Sequence, residues 1–281
     1  MQKARKFVGL LLAVALVFAL AALTGCGQSQ SGTPASTTTG SSTTPAAPAY
    51  KLVTPGTLTV GSDTTFPPFE SMNGQTAEGF DVDMMNAIGK QLGLKVVIQT
   101  ENFDTIIASV NGHKFDAIAS GMTITSDRQK LINFSDPYFD SNQSVAVLKK
   151  SGITTETALY GKKIGVQSGT TGQKWATEHL VPHGSKLVPY KDTTGAFNAL
   201  QAGSVDAVVN DLPVTVEIIK EGPTRGFTII DSIPTGEQYG IGIAKDNPEL
   251  ATAINGALAK IKADGELQQI YNKWIQTTPG Q

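Results

Sequence analysis

Between Thr57 and Ala119 the apolar pattern switches period four times, and that alternation limits the folds open to this chain. Thr57 to Ser62 (TLTVGS) alternates and is β-branched, so it reads as a strand. Asn73-Gly74 marks a tight turn between short strands. A helix opens at Gly79-Phe80-Asp81-Val82-Asp83-Met84 and runs to about Leu92. Its acidic first turn complements the dipole, and Gly93 ends it. Lys95 to Thr100 is the next strand. Asp104 to Asn111 is a helix with Ile106, Ile107 and Val110 inward, and Phe115 to Ala119 is a third strand. Strand, helix, strand, helix, strand argues for a parallel sheet covered by helices.

A second set follows Pro137-Tyr138-Phe139. Strands are expected at Ser144–Leu148, Lys163–Gln167, 186–190, Val205–Asn210, Phe227–Ile230 and Tyr239–Ala244. Helices are expected at 155–160, from the loop 168–172 to about Leu180, and at 194–202, 213–221, 248–263 and 266–275. The two sets echo each other 90 positions apart. Val110 with Asp116-Ala117-Ile118 matches Leu200 with Asp206-Ala207-Val208. Ligands of open α/β sheets bind beyond the carboxyl ends of strands. Two facing lobes would bring both sets of strand exits to one cleft.

The richest exit is Ser120 to Arg128, SGMTITSDR. Gly121 lets a ligand approach the backbone. Thr123 and Thr125 offer hydroxyls, and Ser126 or Asp127 is the expected cap of a short helix. Arg128 in its first turn is the residue type that grips a carboxylate through two parallel hydrogen bonds. Asp63 leaves the end of the first strand. The second set supplies Gln167, Thr170, Thr171, Asn210 and Asp211. Thr170 and Thr171 precede a helix, whose N–H groups receive anions. Arg128 suits a carboxylate and Asp211 an ammonium, the two groups that an α-amino acid carries on one carbon. Phe66 and Phe103 are candidates to sandwich an aliphatic or guanidinium side chain.

These runs resemble the family 3 extracellular solute-binding proteins of ABC importers. The resemblance rests on Gly79 to Met84 with Ile88 and Gly89, and on Gly121 to Thr125 through Arg128. Phe134 to Tyr138, Ser168 to Gly172 and Tyr239-Gly240-Ile241 complete it. It spans about residues 51–276 and implies an α/β, two-lobed, type II periplasmic-binding-protein-like fold, each lobe a mostly parallel sheet flanked by helices. Lobe 1 is then 51–140 and 238–281, and lobe 2 is 141–237. Crossover strands near Tyr138–Asn142 and Thr235–Tyr239 form the hinge. It also implies that Arg128 binds the ligand carboxylate, and that Asp211, Thr123 and the Gly121 carbonyl bind its ammonium. Asp63 reaches the ligand side chain. The chain departs from enteric glutamine-binding proteins at Gln167, where they have Lys, and at Asn210, where they have His. Once Arg128 and Asp211 are matched to the ligand's own charges, Asp63 remains. An unpaired buried carboxylate is costly, so the count favours arginine or lysine over glutamine and disfavours acidic amino acids.

The front of the chain is of another kind. Lys3, Arg5 and Lys6 precede an uncharged apolar run, Phe7 to Leu23, and then Leu23-Thr24-Gly25-Cys26. Residues 1–25 have the layout of a secretory signal. The segment resembles a bacterial lipobox, in which Cys26, the single cysteine of the chain, becomes a lipidated N-terminus. Residues 26–50 lack charge and are rich in Ser, Thr, Gly, Pro and Ala, a composition that cannot order itself. As a coil from Gly27 to Tyr50 this tether's ends lie roughly 25–30 Å apart. Removing residues 1–25 takes three of the 22 basic residues and none of the 24 acidic ones, leaving a net charge near −5. That argues against nucleic acid as a partner.

Enzymatic chemistry finds little support. His179 and His183 are four apart, but Pro182 interrupts the helix and no HExxH occurs, so neither metal nor cofactor is expected. Ser168 lacks the GxSxG elbow, and Gly169 to Lys174 lacks the Walker spacing. A dehydratase on the same fold would need a carboxyl acid free of an ammonium partner, and Asp63 is the candidate. A sensory ligand-binding protein acting through a partner is the other alternative. The expectation is an extracytoplasmic, membrane-tethered monomer serving an ABC permease. Cys26→Ser is expected to move the signal-cleaved protein from the membrane to the soluble fraction. Mass-verified, cleaved mutant that still sediments with membranes would refute the tether.

Overall fold

The computed structural model describes residues 49–275. The signal, Cys26 and nearly all of the tether lie outside the described residues. The first strand, β1 (Thr57–Ser62), is buried from Leu58 onward and pairs in parallel with β4 (Lys95–Thr100) on one side. Between them lie the hairpin β2 (Ser71–Asn73) and β3 (Thr76–Glu78), turning at Asn73-Gly74, and helix α1 (Phe80–Leu92), which ends at Gly93. On its other side β1 pairs in parallel with β5 (Ala117–Ile118), reached through α2 (Ile106–Asn111). The expected strand Phe115–Ala119 is thus regular only at its centre. Asp116 and Ala119 still donate to the carbonyls of Thr59 and Gly61, so the segment follows β1 throughout.

Helix α3 (Ser126–Leu131) is capped by Thr125, whose hydroxyl accepts from the Arg128 N–H at 3.2 Å. The expected caps, Ser126 and Asp127, lie inside the helix, because a cap must precede the first helical residue. A short strand, β6 (Ile132–Phe134), follows; its three residues carry too little pattern to be read from sequence. β12 (Gly242–Ala244), from the far end of the chain, fits antiparallel between β5 and β6. The first sheet therefore runs β4-β1-β5-β12-β6.

The second sheet runs β11-β7-β10-β8-β9. It comprises β7 (Phe139–Leu148), β8 (Lys163–Gln167), β9 (Lys186–Tyr190), β10 (Ala207–Asp211) and β11 (Phe227–Tyr239). Its parallel core, β10-β8-β9, mirrors β4-β1-β5. α4 (Thr171–His179), α5 (Thr193–Gln201) and α6 (Leu212–Glu221) supply the connections, and residues 156–159 form a 3-10 turn where a helix is expected. α7 (Pro248–Ala263) and α8 (Glu266–Trp274) return to pack on α1.

Two strands differ most from expectation. β7 and β11 are long and antiparallel, and they pair from Phe227↔Leu148 to Tyr239↔Phe139 with two register shifts. Pro234 and Gly236 make the middle of β11 read as loop. The ribbon includes 139–142 and 235–239, within the segments expected to cross between lobes. Tyr239 ends β11, and β12 begins only at Gly242, which splits the expected strand Tyr239–Ala244. An aromatic block holds the ribbon where it meets the first sheet. Phe139 stacks on Tyr239 at 5.6 Å and on Tyr271 at 5.9 Å, and Phe69 meets Phe139 edge-on at 4.8 Å.

The 90-residue echo has a physical content. Asp116 accepts from the backbone N–H of Thr59, from the Thr59 hydroxyl and from the Val53 N–H. Asp206 accepts from the Lys163 N–H at 2.8 Å. Each aspartate thus pins the start of the strand that its own strand joins. Asp116 is buried and Asp206 is half-buried. Asp116→Ala is therefore expected to cost about 2–3 kcal/mol by leaving buried donors unpaired, and Asp206→Ala under about 1 kcal/mol. Urea midpoints with unchanged slope would measure both; equal losses would refute the argument.

Candidate functional site

The exits of both sheets converge beside the β7–β11 ribbon. Gly121 sits at φ +50°, and a Cβ there would meet the Phe66 ring at 2.8 Å. Its N–H donates to Asp81 at 2.9 Å, so Gly121 is clamped between a buried carboxyl and an aromatic ring. Across the seam, Gly169 approaches Asp104 so closely that a Cβ would lie 3.1 Å from its Cα.

Arg128 lies in this seam. One terminal nitrogen donates to the Thr123 carbonyl at 2.8 Å and the other to the Gly169 carbonyl at 3.0 Å. Its guanidinium lies over the Phe103 ring at 5.3 Å. Phe103 is thus engaged with Arg128, while Phe66 packs on Gly121 and Phe69. A guanidinium has five N–H donors. The two carbonyl bonds orient it and leave others for an anion. Burial pulls the Arg128 pKa down, and the charges of Asp211 and Glu237 push it back up.

Asp63 is buried and faces the second sheet directly. The Gln167 amide donates to one of its oxygens and the Thr65 hydroxyl to the other, at 2.5 Å. Burial raises its pKa above 3.8 despite these bonds. The Gln167 carbonyl oxygen accepts from Thr193 at 2.8 Å, and Thr193 lies 3.5 Å from Asn210 Oδ1. The Asn210 amide nitrogen is buried with no partner among the described residues. Thr170 caps α4, its hydroxyl accepting from the Gln173 N–H at 3.1 Å.

Asp211 anchors the third cluster. It accepts from the Gln143 amide at 2.6 Å and from the Tyr239 hydroxyl. Burial, then the nearby Glu237, raises its pKa to about 7, against the pull of Tyr239, Gln143 and Arg128. Glu237 itself accepts from the hydroxyls of Thr171 at 2.9 Å and Thr123 at 3.1 Å, and from Gln143 at 3.2 Å. Sequence reading misses Glu237, Gln143 and Thr193. A signal for Glu237 exists: it lies two residues before Tyr239 on one strand and so shares its face. A cavity of about 440 Å³ flanks this cluster, lined in part by Thr123, Thr171, Lys174, Trp175 and Glu237.

A buried acidic pair, Glu70 and Asp81, lies beside Ser120 and Gly121. Glu70 accepts from the Ser120 hydroxyl at 2.7 Å, and Asp81 from the Tyr138 hydroxyl at 2.8 Å. Burial raises the Asp81 pKa to about 7. It lifts Glu70 well above its ordinary value, aided by the charge of Asp81.

Two helix-flanked sheets joined by a paired ribbon, with charged and hydroxyl side chains converging between them, define a binding protein for a small polar solute. Residues 58–277 match the family of bacterial extracellular solute-binding proteins, family 3, and the chain belongs to that family. It is 36% identical over 222 residues to ABC transporter arginine-binding protein 1 of Escherichia coli (strain K12), covering 78% of this chain and 90% of the relative. A structure of an ancestral arginine-binding protein bound to arginine matches at 40% identity and a TM-score of 0.76. It covers 79% of this chain and 99% of that one. An ancestral arginine-binding protein bound to glutamine matches at 40% identity and a TM-score of 0.74, over 79% and 98% of the two chains. An ancestral amino-acid-binding protein described as a precursor of cyclohexadienyl dehydratase matches at 35% identity and a TM-score of 0.72, over 79% and 96%. Among the described residues no helix is long and apolar enough to cross a membrane.

The raised carboxyls set a pH dependence of stability. Asp81 and Asp211 keep protons in the folded chain that the unfolded chain gives up near 3.8. Their contribution is full below that value and is lost as pH rises through about 7. The amino-acid-free protein is expected to melt at a lower temperature at about pH 8 than at about pH 5. Calorimetry showing the reverse order would contradict the burial of uncompensated carboxyls.

Proposed function

We propose that this chain is the extracytoplasmic substrate-binding component of an ABC importer. It captures a polar L-amino acid, arginine or lysine in preference to glutamine, between two lobes and delivers it to a membrane permease. The lobes are 51–140 with 238–281, and 141–237; the β7–β11 ribbon is the hinge. Cys26 carries the lipid that tethers the protein, as a monomer, to the outer face of the cell membrane. No enzymatic step or cofactor enters this role.

The observation that carries the reading is the opposition of Arg128 to Asp211 at one seam. Arg128, oriented by two carbonyls and the Phe103 ring, takes the ligand carboxylate with the first-turn N–H groups after Thr170 and Thr171. Asp211 takes the ammonium together with Thr123 and the Gly121 carbonyl. Charge then selects the side chain. With Arg128 on the ligand carboxylate and Asp211 on its ammonium, the buried Asp63 is left at the side-chain end, so a ligand with a cationic side chain is favoured. Gln167 and Asn210 line the side-chain end, with Phe66 beside Gly121. The arginine named in the relatives above supports the same choice.

A second reading is a dehydratase with Asp63 as its acid, favoured by the burial that raises that carboxyl's pKa and by the dehydratase precursor among the matches. A cationic ligand side chain on Asp63 would remove that acid. Calorimetry with the twenty amino acids, alongside an assay for loss of water from a prephenate-like acid, separates the two. Binding of arginine or lysine without turnover is expected. Turnover, or no binding of any amino acid, would overturn the proposal.

Asp211→Ala is expected to weaken binding by about two to four decades, the cost of leaving a buried charge unpaired. Asp63→Asn is expected to be severe for arginine and lysine and mild for glutamine. Because an ammonium needs Asp211 ionised, affinity is expected to fall about tenfold per pH unit below about 7. Pairing should also release protons, so binding heats should depend on the buffer's ionisation enthalpy.

A further inference from the structure

The position of Glu237 makes a demand on the hydroxyl of Thr123. A threonine hydroxyl carries one proton and two lone pairs, and a carboxylate can only accept. The Thr123 hydroxyl lies 3.1 Å from Glu237 Oε2, so its single proton is directed at Glu237. Its lone pairs then face away from Glu237, as acceptors. Glu237 is in turn held by two further donors, the Thr171 hydroxyl at 2.9 Å and the Gln143 amide at 3.2 Å. The same Gln143 nitrogen reaches Asp211 at 2.6 Å, which ties Glu237 to the carboxyl beside it. Thr123 is buried and its backbone forms an isolated bridge to Tyr239, so its side chain has little freedom to turn elsewhere.

We propose that Glu237 is a positioning residue for ammonium recognition: it orients the Thr123 hydroxyl proton towards itself and so fixes Thr123 as an acceptor for the ligand's α-ammonium. This rests on the amino-acid reading above and adds a residue to it. With Glu237 gone, the Thr123 hydroxyl regains the freedom to donate. It then serves a carboxylate as readily as an ammonium, and discrimination for an α-amino group falls. Glu237→Gln keeps an acceptor in place, because the Gln143 amide also points at that oxygen and holds the new amide with its carbonyl inward. A role in proton direction therefore survives Glu237→Gln, whereas a role through charge alone does not.

The test is calorimetric titration of the full chain with L-arginine and with 5-guanidinopentanoic acid, which is arginine without its α-ammonium. Glu237→Ala is expected to weaken L-arginine by about tenfold or more, the scale of one hydrogen bond to a charged group. It should leave 5-guanidinopentanoic acid unchanged or bound more tightly. Glu237→Gln is expected to stay within about threefold of the parent for L-arginine, since the acceptor is retained. In a Thr123→Val background, Glu237→Ala is expected to have no further effect, because the hydroxyl through which it acts is missing. Equal losses from Glu237→Ala in both backgrounds, or equal losses from Glu237→Gln and Glu237→Ala, would overturn the inference and leave the amino-acid reading standing. Failure of the parent protein to bind L-arginine, L-lysine or L-glutamine would overturn both.

Discussion

The antiparallel pairing of β7 with β11 is the constraint on which the site depends. Both strands belong to the second sheet by hydrogen bonding, yet their ends at Phe139 and Tyr239 lie in an aromatic block shared with Phe69, Phe80 and Tyr271 of the first-sheet side. The ribbon therefore links the two sheets. It also delivers chemistry. Tyr239 reaches Asp211 through its hydroxyl, and Glu237, on the same face, reaches Thr123 and Thr171. The link between the sheets and part of the candidate site are therefore one piece of backbone.

Around that ribbon the protein buries carboxyl groups whose burial its own partners only partly offset. Asp63, Glu70, Asp81 and Asp211 are buried, and each is pushed up by that burial. Hydrogen bonds from Ser120, Tyr138, Gln143, Tyr239 and Gln167 soften the cost. They do so with neutral donors, and in all four groups burial outweighs them, so the pKa stays raised. Such an arrangement is unfavourable for the chain by itself, and under the function proposed above a cationic guest would relieve it, because a site not fully satisfied by its own side chains has more to gain from binding.

The motifs make much of this legible. The Asp116 and Asp206 echo, the helix bounded by Gly79 and Gly93, and the run from Gly121 to Arg128 each combine a local pattern with a fixed backbone need. β11 is hidden because Pro234 and Gly236 break a strand pattern locally, while the partner that restores it, β7, is distant in sequence. Thr125 rather than Ser126 caps α3 because the boundary lies one residue earlier than composition alone can fix. Glu237 escapes notice for a related reason. On the expected crossover strand 235–239 an isolated glutamate still reads as a solvated charge, and the pairing of β11 turns it inward.

The sequence by itself determined the alternation of strands and helices, the family resemblance and the residue types able to meet a zwitterion, because these depend on local periodicity and on side-chain chemistry. Tertiary structure decided which of those side chains meet. It placed Gln167 on Asp63, Arg128 on the Gly169 carbonyl, and Glu237 between Thr123 and Thr171. Those contacts join residues on different strands and loops, and their strength comes from burial, which no window of sequence measures.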